Sequence, residues 1–506
     1  MKPSEKIALS LTMSASVFAD ILGRYTSARP FVLGPAPRTY SELLAAADSI
    51  ARRLRARSCS RGSRVGICLD QGIEYVACLL AIWQVGGVSV LMAPGWTIYE
   101  RERALKHSGM RFVLADTPQL TQTIPARSEN IEGLNCILLE YAECGDSVEP
   151  EAGDAVIIYT SGTTGDPKGV VLTEASISAN VAAVAEYLGL GSEDSTPIFT
   201  PSCYAYSLSQ NLVQAWTGGA MVPVPPGLRF PLDILQAVSV YRLTGISATP
   251  TAIRMLCDVG IGSSLDLSSV RFVMCGGQFL DHRLVQLTKS LFRRAEVVNM
   301  YGCTENSPRI SYHYVNGMIG MDKQGYFAVG RPVLGTTMRI ETEDGKAAQP
   351  GEIGEVLITG TSLTRRYWKD DRGTASRIRN GWFHTRDLGC FDDSGLLHLT
   401  GRQSNIINVG NEKVSPEEVE KVLFEMPAIQ DAAVYGMPDP LLGETVEAKV
   451  VSLAGSTVVV GDLQRHCREK LSHYKIPKRI LIVDKIPRTL YGKLDRRLIR
   501  EVRPGK

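Results

Sequence analysis

The order of apolar runs along the chain predicts an α/β fold. It would comprise a large N-terminal domain of layered sheets with a β-rich subdomain, then a small α+β C-terminal domain. Three observations carry this. First, apolar β-branched runs recur at 64–69, 88–92, 111–114, 154–159, 220–224 and 270–274, with helical spacings at 40–55 and 73–85 between them. Such alternation argues for layers built on largely parallel sheets. Second, beyond Gly325 the pattern turns to short strands with turn signals at Gly345, Pro350-Gly351 and Asp392-Asp393-Ser394-Gly395, which predicts a more antiparallel subdomain. Third, a break near Gly401-Arg402 separates residues 1–401 from residues 402–506. In the second part, Ser415-Pro416-Glu417-Glu418 reads as a capping box, with Ser at the N-cap, Pro first in the helix and Glu third. Val419, Val422, Leu423 and Met426 follow at helical spacing, and Pro427 ends the run.

Bulk properties narrow the class of function. A chain of 506 residues exceeds one core. Its net charge of +2 creates no strong field for nucleic acid or an acidic membrane. Residues 402–506 carry +4 against −2 for the rest, which suits a phosphate-bearing partner without requiring one. The eleven cysteines are scattered without a Cys-x-x-Cys or zinc spacing, so reduced thiols and a cytoplasmic location are expected. Lys2 and Lys6 before residues 7–19 loosely imitate a signal peptide. Hydroxyl residues interrupt that run, and Val17, Ile21 and Leu22 extend a helical spacing past any cleavage point. No apolar stretch reaches the roughly 20 residues that a membrane span needs.

The most informative segment follows the run 154–159. In Tyr159-Thr160-Ser161-Gly162-Thr163-Thr164-Gly165-Asp166-Pro167-Lys168-Gly169-Val170, hydroxyls and glycines lead to one lysine. Such a loop wraps N–H and O–H donors around phosphates, with Lys168 adding charge. Pro167 stands where a Walker loop needs Gly, which excludes that class. A dinucleotide-binding dehydrogenase lacks support, because no Gly-x-Gly-x-x-Gly follows an early strand.

This segment resembles the phosphate loop of the adenylate-forming superfamily, which holds acyl- and aryl-CoA synthetases, peptide-synthetase adenylation domains and firefly luciferase. Further segments resemble the family's motifs in its order: Gly276-Gly277-Gln278, the run Asn299-Met300-Tyr301-Gly302-Cys303-Thr304-Glu305, the run 381–389 around Asp387, Gly401-Arg402 with Gly410, and the run 487–493 ending in Lys493. The resemblance implies that a carboxylate attacks the α-phosphorus of ATP with Mg²⁺ as cofactor, and that a thiol then takes the acyl group. It also implies a mobile C-terminal domain.

Residue by residue, the resemblance gives catalytic roles to Lys493, Thr304 and Glu305. Lys493 would bridge the substrate carboxylate and the α-phosphate, Thr304 would donate to that phosphate, and Glu305 would hold magnesium. Thr160, Ser161, Gly162, Thr163, Thr164, Gly165 and Lys168 would surround the phosphates. Gly276, Gly277 and Gln278 would contact adenine, Tyr301 would offer it a stacking face, and Asn299 and Gly302 would belong to the same ATP site. Asp387 would bind the ribose hydroxyls and Arg402 the sugar or the phosphates. Gly410 would border the thiol tunnel, and Ser404 would serve as hinge.

Two positions depart from the family pattern. Arg386 stands where glycine is usual before the ribose aspartate, placing a cation near the nucleotide or pointing to solvent. Ser404 stands where the hinge usually has Asp or Lys. For the acid pocket the candidates are Tyr204, Ala248, Cys303 and Arg309, with Cys275 and Gln278 nearby. Segment 201–208 contains no acid to hold an α-amino group, which favours acyl or aryl acids over amino acids. Arg309 reads either as a contact for a second polar substrate group or, the preferred reading, as a structural salt-bridge partner. The acceptor is coenzyme A or the phosphopantetheine of a carrier protein. An amino-acid adenylation enzyme and a luciferase-like oxygenase remain as alternatives.

Overall fold

The computed structural model describes residues 17–24, 28–122, 124, 126–141, 149–160, 168–224, 231–323, 325–410, 412–488, 494 and 498–501. Among these residues every run read as a strand forms one: Arg64–Cys68, Val88–Leu91, Phe112–Ala115, Asp154–Thr160, Ala220–Pro223 and Phe272–Gly276. The helices Tyr40–Ala56 and Ile73–Gln84 appear where the spacing placed them. Thr39 starts the first with a reciprocal capping box to Glu42. Both bury apolar faces in the principal core.

The sheets are more mixed than expected. In the eight-stranded sheet the three pairings among Arg64–Cys68, Val88–Leu91, Phe112–Ala115 and Asp154–Thr160 are parallel. The flanking strands Ala126–Asn130, Ile137–Tyr141, Lys168–Thr173 and Arg366–Tyr367 all pair antiparallel. The reason lies in the connections. The turn between Asp154–Thr160 and Lys168–Thr173 is too short for a helical crossover, so it makes a hairpin.

A second sheet runs Gly245–Ala248, Phe272–Gly276, Glu296–Gly302, Arg309–Tyr314 and Arg331–Pro332. Its first three strands are parallel, so their C-terminal ends share one edge. The predicted antiparallel subdomain is the sheet of Thr336–Glu341, Gly354–Gly360, Trp382–Phe391 and Ile378–Arg379, extended by Leu397–Arg402.

Beyond Arg402 a separate sheet forms from Ile407–Val409, Glu412–Val414, Ile429–Asp439, Gly443–Ser452 and Arg479–Ile482, with its own core. The helix Pro416–Phe424 starts at Ser415 as read, with Pro416 first. The capping box does not form. Ser415 Oγ instead donates 3.0 Å to Thr400 O and lies 2.9 Å from Glu417 Oε2. The Glu418 N–H is donated to Ser415 O at 3.2 Å, and the Ser415 side chain is turned to Thr400 O and Glu417 instead of accepting from the helix.

Candidate active site

Three chain segments converge on the shared edge of the second sheet. Strand Glu296–Gly302 ends in the Tyr301-Gly302-Cys303 turn, and a short 3-10 turn, Thr304–Asn306, carries Thr304 and Glu305. Gly302 is required by space, because a Cβ there would stand 1.9 Å from Pro308 O. Strand Trp382–Phe391 brings Asp387 alongside. Strand Lys168–Thr173 brings Lys168 from the far end of the phosphate loop.

Asp387 is the electrostatic centre of the nucleoside half. It is 3% exposed. Tyr301 donates its hydroxyl to Asp387 Oδ2 at 2.6 Å, and Arg402 Nε pairs with Oδ1 at 2.7 Å. A carboxylate accepts about four hydrogen bonds, so these two leave room for both hydroxyls of a ribose. Burial pushes the Asp387 carboxyl above its ordinary range, while Arg402 and the Tyr301 hydroxyl oppose the rise. The Tyr301 hydroxyl is raised well above normal by burial and by Asp387. It therefore stays a donor.

For the base, Gly277 at φ 86 adopts a conformation that favours glycine, directly after strand Phe272–Gly276. Asn299 is buried and donates to Phe327 O at 3.1 Å and Ala328 O at 2.9 Å. Its Oδ1 has no partner among the described residues, a buried acceptor that suits the amino group of a purine. Gln278 Oε1 accepts from Thr251 Oγ1 at 2.9 Å, which fixes its orientation.

In the phosphate half, Thr160 pairs with Lys168 across the hairpin. Ser161, Gly162, Thr163, Thr164 and Gly165 lie outside the described residues, as does Lys493. Lys168 Nζ lies 5.2 Å from the Tyr367 ring centroid and 3.8 Å from Asp370 Oδ2. Tyr367 in turn donates its hydroxyl to Glu305 Oε1 at 2.7 Å, so the cation, the ring and the carboxylate form one chain. Tyr367 and Asp370 had not been read as site residues, because a two-residue strand leaves no periodic signal.

Glu305 fits a magnesium ion held together with phosphates. Its Oε2 carries no hydrogen bond among the described residues, and no group of three potential ligands occurs there. One carboxylate cannot cage Mg²⁺ alone, but it is enough when phosphate oxygens and waters supply the remaining positions.

The acid-pocket candidates are divided. Tyr204 caps helix Ala205–Thr217 and is 39% exposed, as a gate would be. Ala248 ends strand Gly245–Ala248, and burial holds the partly buried Cys303 thiol protonated. Arg309 corrects the sequence reading, because it makes no salt bridge among the described residues. It is 2% exposed, with its guanidinium 4.1 Å from the Tyr206 ring centroid. A cavity of about 710 Å³ elsewhere, bordered by Val17, Thr173, Trp216 and Ile378, contains none of the predicted site residues.

Arg386 supplies the physical reason for glycine in the family pattern. Its φ is 61, in the left-handed region, with its N–H donated to Glu355 Oε1 at 2.8 Å. A non-glycine residue there costs about 1 kcal/mol. Arg386→Gly is expected to raise stability by roughly that amount in denaturant titration. A drop of similar size would place the residue's value in its side chain instead.

Comparison with known proteins agrees with this arrangement. The AMP-binding enzyme family matches residues 23–368, and the AMP-binding enzyme C-terminal domain matches 418–493. A feruloyl-CoA synthase of Amycolatopsis sp is 30% identical over 468 residues, covering 90% of this chain and 92% of that one. The o-succinylbenzoate CoA synthetase of Bacillus subtilis, solved with its acyl-adenylate intermediate, superimposes with a TM-score of 0.81 at 28% identity, covering 97% and 99% of the two chains. The same synthetase solved with ATP and a magnesium ion gives 0.80 at 27% identity, covering 96% and 99%. ATP and Mg²⁺ are accordingly the cofactors. No helix among the described residues is long and apolar enough to cross a membrane. The chain belongs to the AMP-binding enzyme family and is an ATP-dependent, AMP-forming acid–thiol ligase.

Proposed function

We propose that this ligase activates an acyl or aryl carboxylic acid and passes it to coenzyme A, in the cytoplasm. The observation that carries the reading is the Tyr301–Asp387–Arg402 cluster beside Glu305 on one sheet edge. Coenzyme A is supported as acceptor by relatives whose names specify it.

In the first half-reaction the substrate carboxylate attacks the α-phosphorus and pyrophosphate leaves. Two anions meet, so the chain's part is to aim donors and cations at the developing charge. Asp387 holds the ribose, and Thr304 donates to the α-phosphate. Lys168 and the loop hydroxyls of Thr160, Ser161, Thr163 and Thr164 steady the outgoing phosphates. Lys493 joins carboxylate to phosphate. Magnesium, held by Glu305, supplies charge neutralisation on the phosphates. In the second half-reaction the thiolate attacks the acyl carbonyl and AMP leaves, with Gly410 allowing close approach of the pantetheine arm.

Domains 1–401 and 402–506 would turn about Ser404 between the halves. Ser404 sits in an exposed 3-10 turn, Gln403–Asn405. Proline at 404 disfavours the helical conformation of Gln403. Ser404→Pro is therefore expected to slow one half-reaction at least about tenfold while sparing the other. Equal rates for both would remove the hinge.

The activity test is ATP–pyrophosphate exchange across fatty, aryl and amino acids, followed by chromatography for the thioester with coenzyme A or a carrier protein. Exchange confined to acyl or aryl acids, with a coenzyme A product, is expected. Exchange with amino acids, or thioester on the carrier alone, would overturn the assignment.

A further inference from the structure

Arg309 is a buried cation without a counter-ion among the described residues. Its guanidinium stays charged at any physiological pH, and its Nε has no hydrogen-bond partner. The groups around it are neutral. It faces the Tyr206 ring, and the Tyr206 hydroxyl is bonded to Ser247 Oγ. Burial pushes the Tyr206 hydroxyl up to about 12 and also raises that of Tyr187, with Arg309 opposing both shifts. Neither ionises near neutral pH, so neither supplies the missing negative charge.

The backbone holds this cation in place. Asn180 Nδ2 donates 2.9 Å to Arg309 O, Asn306 Nδ2 donates 2.6 Å to the same oxygen, and Arg309 N donates 3.3 Å to Asn180 Oδ1. Gly302 pairs with Arg309 across the ladder, so the residue stands roughly 5 Å from the Tyr301-Gly302-Cys303 turn. Next to it lies a small space of about 20 Å³ bordered by Val184, Leu188, Val213 and Met274 as well as Ser209 and Arg309. Ser209 Oγ, which can donate, lacks a partner among the described residues. The space has room for about one water-sized group and not for an extended chain.

An isolated buried charge is strongly unfavourable unless it is paired, so a buried cation with no counter-ion among the described residues is complementary to an anion. On the reading that this chain is an acid–thiol ligase, we propose that Arg309 recognises a second carboxylate, so that the substrate is a dicarboxylic acid. One carboxylate reacts at the Thr304–Glu305 end. The other accepts the guanidinium fork, with Tyr206 covering its face.

The test compares dicarboxylic acids of graded chain length and aryl diacids with their monomethyl esters and with monocarboxylic acids of equal size, by ATP–pyrophosphate exchange on the intact enzyme. A diacid should exceed its half-ester by at least about 100-fold in kcat/KM, because the half-ester leaves the buried cation unmatched. Arg309→Met retains the stem against Tyr206 and removes the charge, so it should bring the diacid to half-ester ratio of kcat/KM close to one. Arg309→Lys should restore part of the advantage. Preference of the wild-type enzyme for monoacids would overturn the assignment without any variant, as would equal losses on all acids in Arg309→Met. Exchange with no acid at all would instead remove the ligase reading, and the role of Arg309 with it.

Discussion

Replacing Lys493 with alanine should lower ATP–pyrophosphate exchange by about 10²–10³-fold, while transfer from a supplied acyl-adenylate to the thiol stays near the wild-type rate. The expected loss is that of one preorganised donor, roughly 3–4 kcal/mol of transition-state stabilisation. Its origin is electrostatic. A carboxylate and a triphosphate repel each other, and the charge that builds on the α-phosphoryl oxygens needs a cation already in place. On the proposed reading Lys168 and the hydroxyls of Thr160, Ser161, Thr163 and Thr164 would serve the outgoing phosphates, so they could not replace a cation between the reacting groups. The C-terminal family match runs over residues 418–493, so the lysine is its last matched residue. In the second half-reaction the bond to phosphorus is already made, so Lys493 has no charge left to stabilise there. Measuring exchange and single-turnover thiol transfer on the same preparation separates the halves. Equal damage to both would assign Lys493 to folding or to general nucleotide affinity.

What was legible in the chain differed between the fold and the site. The helices 40–55 and 73–85 were legible to within a residue. The first buries one face at helical spacing, and the second is an apolar run buried on nearly all sides and too long for a strand. Strand direction was less legible. Flanking strands such as Lys168–Thr173 and Ile137–Tyr141 carry the same apolar residues whichever way they run, and only the length of the connection decides. At the site, Asp387, Tyr301 and Arg402 were legible one by one as motif residues, whereas their mutual bonding came only with the strand pairing of Asp387 to Arg402. Tyr367 was missed because its contact with Glu305 joins residues 62 positions apart. Arg309 was read first as a structural salt-bridge partner, and among the described residues it has no such partner. A sequence shows that an arginine is present, but not that its surroundings contain no acid. Ser415 shows the same limit at smaller scale, where the side chain of a capping signal is turned toward Thr400 O, which only the fold brings near, and toward Glu417.

Asp387→Ala should reduce kcat/KM for ATP by about 10²–10³-fold, mainly through KM, and Arg402→Gln should move the acid limb of ATP binding to higher pH. Each hydrogen bond to an ionised acceptor contributes roughly 1.5–3 kcal/mol, and a ribose would make two of them with Asp387. The direction of the pH effect follows from the surroundings. Burial raises the Asp387 carboxyl above its ordinary value, with Arg402 the foremost opposing influence. The ionised form accepts both hydroxyls, so ATP affinity falls as pH drops through the folded-state value. Without Arg402 that value climbs further and affinity is lost at a higher pH. Stability runs the other way. A carboxyl raised by burial favours folding while it is protonated, and that contribution declines as pH rises through the folded-state value. Arg402→Gln should therefore weaken folding at neutral pH and leave it nearly unchanged in acid. The size should be modest, about 0.2–1 kcal/mol, because the Arg402 side chain is 61% exposed and solvent screens the pair. Isothermal titration of ATP at several pH values, with denaturant melts on the same variants, reads both effects. A binding profile in Arg402→Gln that overlays wild type, or an ATP KM in Asp387→Ala within about threefold of it, would detach the Tyr301–Asp387–Arg402 cluster from the nucleotide and leave it as an internal tie between two strands.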